Sequence, residues 1–430
     1  MLKKYLRIFV IALLSTACTK QPAPIDPIPT QEQVNWQQLE TYAFIHFGLN
    51  TFNDMEWGYG DTPASTFNPT ALDCEQWVLT LKACGMQGVI FTAKHHDGFC
   101  LWPTETTDYC IKNSPYKDGH GDVVGELCEA CRKHGLRFGL YLSPWDRHQA
   151  SYGTDEYVKL YQQQIQELAD HYSPFFEFWF DGANGGDGWY GGACETRSID
   201  ADTYYDFEKA RDIVWAHSPE AMIFGGTVPT IRWIGNEKGL GNTTQWSVVD
   251  GAWLPSEVDV SIRPGWFYHD NESPKTLEQL LNIYYQSVGR NASLLLNFPV
   301  NCEGRIPSED SLRAMEWHQA IEKRFAHDLM KDCKVTHHDT PSEMIFTFDE
   351  PTTLSCLVLQ EQIAWGQRVE RFTISRYRNG KWLPLETNEE TTTIGYKRII
   401  RFKPAEMEQL RIRFVKARGP VVMKKVSGYR

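Results

Sequence analysis

From residue 42 to residue 329 the chain alternates between two hydrophobic periods, and that alternation leaves few folds open. Short apolar, strand-like runs occupy 42–47, 88–92, 137–142, 176–180, 221–224 and 293–297. Segments at 74–84, 122–134, 155–172, 202–217, 277–288 and 308–329 separate or follow them, with apolar residues recurring at helical spacing. In the first of these, Trp77, Leu81 and Cys84 share a face and Gly85 stops the helix; Gly135 does the same after His134. Strand then helix, repeated over roughly 300 residues, argues a parallel sheet with helical crossovers. An open doubly wound sheet would place a glycine-rich phosphate loop after its first strand, and Gly48-Leu49-Asn50 is not one. The expected fold is α/β, a (β/α)8-like TIM barrel over 36–330.

From about residue 331 the pattern changes. Short β-like runs at 344–348, 354–360, 371–377, 392–394, 399–402 and 410–415 are split by turns, with no helical segment between them. A C-terminal antiparallel β-sandwich over 331–430 is expected. Such appendages bind sugar or buttress a barrel, and with no exposed aromatic cluster evident the buttress is favoured.

The N-terminus has its own logic. Lys3, Lys4 and Arg7 precede an apolar run at 8–14, and Ser15-Thr16-Ala17-Cys18 follows. The run is too short to span a bilayer as a helix. It is similar to a bacterial lipoprotein signal over 1–17, cleaved before Cys18, whose thiol would carry lipid. Ser15 stands where an aliphatic residue is usual, so ordinary secretion without a lipid is the alternative. Residues 18–35, with four prolines between 19 and 30, read as an extended tether. The expectation is an exported protein, periplasmic or at the cell surface, anchored to a membrane by lipid.

A net charge of −12 excludes a nucleic-acid footprint. The 15 tryptophans suit a site that stacks rings on the apolar faces of sugars. Cys128 and Cys131 have the spacing of a zinc half-site, but no second pair completes it. Buried thiols, or one or two disulfides, are expected; neither metal nor cofactor is implied.

Polar residues gather where strands end: His46, His95, His96, Trp145 and Asp181. In a barrel, those C-terminal tips are where chemistry is done. Glycoside hydrolysis needs two carboxyl groups flanking the scissile bond. Asp181, closing the strand at 176–180, is one candidate. Glu56, Glu237 and Glu257 are candidate partners, each in a segment with Trp and Gly or Pro. The plain alternatives are a turn-forming or capping role for Asp181 and surface positions for the glutamates. Adjacent His95 and His96 invite a metal reading. Neighbouring side chains on a strand face opposite ways, however, so hydrogen bonds to sugar hydroxyls are the better expectation. Lys94 as a Schiff-base lysine has no support, and a G-x-S-x-G serine elbow is absent.

His46-Phe47-Gly48, Glu56-Trp57, Lys94-His95-His96-Asp97-Gly98-Phe99 and Trp179-Phe180-Asp181-Gly182 together resemble the signature segments of α-L-fucosidases of glycoside hydrolase family 29. The likeness continues through Arg232 to Gly239, through Arg263-Pro264-Gly265-Trp266-Phe267-Tyr268, and to Trp365-Gly366-Gln367-Arg368-Val369-Glu370. It covers most of the mature chain. The resemblance implies a retaining exo-α-L-fucosidase acting through a fucosyl-enzyme intermediate, with Asp181 as nucleophile. In the branch selective for α-1,3 and α-1,4 linkages the acid/base lies in an R-W-x-G-N-E-x-G segment, here Glu237. The other branch places it elsewhere, which keeps Glu257 in reserve. Tyr141-Leu142-Ser143-Pro144-Trp145, where the broader branch has Tyr-Tyr-Ser, agrees with the selective branch. His46, Glu56, Trp57, His95 and His96 would hold the fucose, with Trp145, Arg263 and Trp266 as further contacts. Trp57 and Trp266 would pack on the sugar's C6 methyl. The implied substrates are fucosylated, Lewis-type glycans. Rival readings are a non-catalytic fucose- or glycan-binding protein and a barrel glycosidase of other sugar specificity.

Overall fold

The structure, a computed structural model, describes residues 22–183, 198–340 and 342–430. Cys18, the leader before it and the glycines at 185 and 186 lie outside the described residues.

The barrel strands are β1 (Thr41–Ile45), β2 (Gly88–Lys94), β3 (Arg137–Leu142), β4 (Glu177–Trp179), β5 (Met222–Phe224) and β6 (Arg232–Trp233). A small antiparallel hairpin of β7 (Val248–Val249) and β8 (Ala252–Trp253) interrupts them before β9 (Ser256–Ser261) and β10 (Ala292–Asn297) complete the set. These eight pair in parallel in the order β5-β4-β3-β2-β1-β10-β9-β6. A parallel bridge between Phe224 and Ile231 brings the two outer strands together, so the sheet nearly closes into a barrel. Helices Cys74–Ala83, Val123–His134, Asp155–Tyr172, Phe207–His217, Leu277–Gln286 and Ser308–Phe325 lie between or after the strands. Their starts follow from the sequence. Asp73 accepts the Gln76 N–H at 2.9 Å and Asp122 the Gly125 N–H at 2.8 Å, N-caps worth about 1 kcal/mol each.

Two strands depart from the sequence reading, which found six. No helix separates β5 from β6: the chain turns back at Gly225, where φ is +76° and a Cβ would stand 1.8 Å from the Phe180 carbonyl oxygen. Only glycine fits there. In β9 the usual alternation is missing. Glu257 and Asp259 alternate with buried Val258 and Val260, and both acids are buried as well.

The expected tether is also shorter than residues 18–35. Thr30 forms a capping box with Gln33 that starts helix Gln31–Gln37, which buries Trp36. Before it, the Arg368 guanidinium donates to the Ala23 carbonyl at 2.7 Å, and the Ile25 N–H to the Trp365 carbonyl at 3.0 Å. Extended backbone leaves its N–H and carbonyl groups free for such partners, and here the C-terminal domain supplies them.

That domain is built on two 20-residue strands, β12 (Ser342–Glu361) and β15 (Arg398–Ala417), with β11 (Lys334–Asp339), β13 (Val369–Arg378), β14 (Lys381–Pro384) and β16 (Met423–Tyr429). Breaks in the β12–β15 register between Thr347 and Thr352 and between Leu354 and Cys356 divide the long pair. One half carries β11, β13 and β14, the other β16, around a shared apolar core. Cys356, Val358, Ile399 and Tyr429 belong instead to the core cluster of the barrel. The Ile399 N–H bonds the Gly289 carbonyl at 2.9 Å, so the sheet braces the barrel's flank. The nine cysteines among the described residues are free thiols, and no His/Cys/Asp/Glu cluster there could hold a metal ion.

Candidate active site

The C-terminal ends of the barrel strands open into a cavity of about 530 Å³. Its buried base is aromatic. Trp179 and Phe224 stack with centroids 3.6 Å apart, and Phe44 meets Trp179 edge-on at 5.2 Å. His46, His95, His96, Tyr141, Asp181, Glu237 and Asp259 supply the polar lining, and Trp57, Trp233 and Trp266 complete it. Trp57 and Trp233 are 53% and 46% exposed, which puts them at the rim. A groove of about 830 Å³ at the other end of the strands, lined by Trp36, Arg137 and Phe176, holds none of the candidate site residues.

Asp181 serves as turn former and site residue at once. Its Oδ1 accepts the Ala183 N–H at 2.7 Å, while Oδ2 accepts the Tyr141 hydroxyl at 2.8 Å. The His96 Nε2 stands 3.7 Å from the same Oδ2. Phe180 fixes the approach, its N–H bonding the Phe224 carbonyl at 2.9 Å.

Both His95 and His96 line the cavity, with ring centroids 4.1 Å apart. The alternation expected of a strand does not apply because β2 ends at Lys94, just before them. The Lys94 amine is turned away, buried against Asp146 at 3.0 Å and Gln164 at 2.9 Å. His96 Nδ1 contacts the Ser143 hydroxyl at 2.7 Å, and His46 Nδ1 the Asn297 amide oxygen at 2.9 Å. Burial lowers His46 to about 3 and His96 to about 4, and drives His95 well down. All three are neutral near pH 7 and so can both donate and accept hydrogen bonds, as sugar hydroxyls require.

Glu237 reaches the cavity from the loop after β6, and its Oε2 accepts the Trp266 indole N–H at 3.3 Å. Glu56 does not line the cavity. Its carboxylate gathers the backbone N–H groups of Trp266 and Phe267, at 2.9 and 3.1 Å, with His269 Nε2 at 2.8 Å. It therefore holds the segment that carries Trp266. Trp145 is buried behind the lining, packed on His96 and Trp57 at 4.9 and 5.4 Å between centroids. Arg263 is fully buried outside the cavity, paired through Nε with Asp310 at 2.8 Å and through Nη2 with Glu309.

Glu257 sits below the cavity and is sealed. It accepts the Trp179 N–H at 2.8 Å and the Tyr42 hydroxyl, and it faces Glu177, which takes the Trp36 N–H at 2.7 Å. Burial raises both carboxyls, and Glu177 is pushed well up by burial and by its partner's charge. Glu177 Oε1 has no donor among the described groups. A proton on one carboxyl of the pair supplies what is missing.

Two carboxyl groups facing one cavity, one gripped by a phenol and the other by an indole, beside three neutral histidines, make a site suited to glycosidic bond cleavage. The family model for α-L-fucosidase matches residues 24–319. The chain belongs to the α-L-fucosidase family. Alpha-L-fucosidase 1 of Arabidopsis thaliana is 38% identical to the enzyme across 94% of this chain and 88% of its own. The crystal structure of a glycoside hydrolase 29 family member from an unknown rumen bacterium superposes with TM-score 0.91 at 44% identity, over 95% of this chain and 78% of that one. A Ruminococcus gnavus GH29 fucosidase in complex with fucose superposes with TM-score 0.84 at 30% identity, over 96% and 97%. The fucosidase fold thus accounts for both the barrel and the appended sheet.

Sequence reasoning missed Tyr141, Trp233 and Asp259 as lining of this cavity. Tyr141 lies within a strand and Trp233 in a strand of two residues. The signal for Tyr141 was there: it is the penultimate residue of β3, and strand tips face the mouth.

Proposed function

We propose that this α-L-fucosidase is a retaining exo-enzyme that releases terminal α-1,3- or α-1,4-linked L-fucose from Lewis-type glycans. The observation that carries the reading is that Asp181 and Glu237 line one cavity while Glu257 is sealed beneath it. Asp181 attacks the anomeric carbon and forms the fucosyl-enzyme ester. Glu237 protonates the leaving oxygen and then takes the proton of the attacking water. The neutral His46, His95 and His96 hold fucose hydroxyls, and the apolar base accepts the deoxy-sugar's less polar face. Trp57 and Trp266 are the groups placed to meet its C6 methyl. Glu56, Trp145 and Arg263 act behind the lining, keeping these groups in position.

The decisive comparison sets a simple α-1,2 fucosyl-galactose beside a branched Lewis-type trisaccharide, for the native enzyme and for Glu237→Ala. Cleavage of the Lewis sugar alone, reduced about 10²–10⁴-fold in the variant, is expected. Cleavage of both sugars, undiminished in the variant, would remove the linkage assignment and the role of Glu237 together. Retention predicts α-L-fucose as the first product seen by NMR; a β first product would refute it.

The same proposal includes export and lipid attachment at Cys18. It is supported by the basic and apolar leader ahead of that residue. Cys18→Ser should shift the enzyme from the membrane fraction to the soluble one. An unchanged distribution would leave secretion without a lipid.

A further inference from the structure

The rim holds two half-exposed tryptophans, and each is associated with a different one of the two carboxyl groups of the mouth. Trp57 meets His96 and Trp145 edge-on, with centroids 5.4 Å away in each case, and His96 adjoins Asp181. Trp233 goes with Glu237. It is four residues before Glu237, and its indole N–H is tied at 2.7 Å to Asp259 Oδ1, a carboxyl that feels the charge of Glu237. A nucleophile attacks the anomeric carbon opposite the departing group, and the general acid must reach the departing oxygen. The sugar attached to fucose therefore lies on the side of Glu237 and Trp233, away from Asp181.

We propose that Trp233 is the platform on which the sugar next to fucose packs, and that Asp259 is the positioning residue that fixes that platform. The inference rests on the role given to Glu237 above.

Three observations carry it. The indole is 46% exposed yet held at both ends: Asp259 takes its ring N–H, and the backbone on either side is locked into the barrel edge. The Arg232 N–H bonds the Pro255 carbonyl and the Ile234 N–H the Glu257 carbonyl, each at 3.0 Å. No ring among the described residues packs on Trp233, so an apolar face is kept rigid and open at the lip of a sugar site. Asp259, only 4% exposed, lies inside the cavity lining. Burial, with the charge of Glu257 next in weight, raises its carboxyl well above the ordinary range. A carboxyl held in so dry a place is better suited to gripping the indole than to staying ionised in solvent. A pyranose offers such an indole its row of C–H bonds, and a rigid aromatic surface loses little entropy in binding.

The test compares kcat/KM for a fucosylated trisaccharide with that for α-L-fucosyl fluoride, whose leaving group has no sugar to pack and needs no acid. The quantity read is the ratio of the two. Trp233→Ala is expected to lower that ratio about tenfold, the loss of roughly one good ring contact. Trp233→Phe keeps a flat surface and should keep most of the ratio. Asp259→Asn retains an acceptor for the indole and should do the same, whereas Asp259→Leu should follow Trp233→Ala. A ratio that stays constant in Trp233→Ala, whether both activities fall or neither does, overturns the proposal. Should the leucine variant not fold, the contrast between Trp233→Phe and Trp233→Ala still decides. Glu237→Ala keeps the two questions apart: loss of the trisaccharide with the fluoride still cleaved upholds the acid role, and any other pattern removes it whatever Trp233 does.

Discussion

Asp181 and Glu237 at the barrel mouth and Glu177 and Glu257 beneath them are two pairs of carboxyl groups with the same kinds of neighbour. Each pair is met by one phenol and by indole N–H groups: Tyr141 and Trp266 above, Tyr42, Trp179 and Trp36 below. The difference is access. The Asp181 side chain is 22% exposed and shares a cavity with Glu237, while both lower carboxyls are fully buried. A buried pair facing each other is relieved by holding a proton; a pair spread across a cavity can deliver one and make a bond. Residue type therefore does not separate chemistry from architecture here. Burial does.

That contrast can be broken most sharply by exchanging losses. Asp181→Gly should abolish turnover while leaving the denaturation midpoint near that of the native enzyme. Glu257→Ala should do the reverse in kind. It strands the Tyr42 hydroxyl, the Trp179 N–H and a lone Glu177, at a cost of about 3–5 kcal/mol. Urea unfolding followed by tryptophan fluorescence would measure it. A Glu257→Ala protein of native stability but without activity would show that the lower pair takes part in the reaction.

One step down in size, Tyr141→Phe removes a hydrogen bond to Asp181, the proposed nucleophile. Such bonds contribute about 1.5–3 kcal/mol, so kcat/KM should fall roughly 10- to 100-fold. Tyr42→Phe deletes the matching bond in the lower pair and should appear in stability, with little change in kcat. If the two variants behave alike, the distinction drawn by burial fails.

The two regions should also pull stability in opposite directions with pH. The histidines of the mouth have folded values below their free value, His46 at about 3 and His96 at about 4. The unfolded chain binds more protons than the folded one between those values and about 6.5, so stability is lost as pH falls through that window. The lower pair, Glu177 and Glu257, is raised, and the folded state keeps protons that the unfolded state releases. Their contribution is present below the ordinary carboxyl range, about 4, and is lost as pH rises above it. Melting temperatures across pH should show both limbs. Glu177→Gln should flatten the upper limb, and His46→Asn the lower; a flattening of the wrong limb in either variant would contradict the assignment.

The same contrast explains what was legible in the sequence. Trp179-Phe180-Asp181-Gly182 and His95-His96 announce themselves because they join polar groups to strand ends. The strand β9 does not, because Glu257, Asp259 and the valines between and after them are all buried, so no exposed polar side marks it. Glu257 consequently read as a surface carboxylate or a reserve acid. Arg263 and Glu56 lie in segments that resemble the fucosidase pattern, yet their charges are spent on Asp310 and on the Trp266 and Phe267 backbone. Proximity in sequence to the site gave their neighbourhood but not the direction of their side chains.

The smallest effect tests the mouth at its loosest contact. The Trp266 indole meets Glu237 at 3.3 Å, longer than the 2.8 Å bond between Trp179 and Glu257. Trp266→Phe keeps the ring beside the sugar and removes only that donor. A neutral donor at the long end of hydrogen-bond range contributes about 0.5–1.5 kcal/mol, which predicts a loss of roughly 2- to 10-fold in kcat/KM. Stability should hardly move, because Glu237 remains open to solvent and can replace the indole with water. Trp179→Phe removes the corresponding donor from Glu257, where no water can enter, and its cost should fall on folding instead. Equal stability losses in the two variants would mean that Glu237 is as closed as Glu257, and the acid at the mouth would have no path to its substrate.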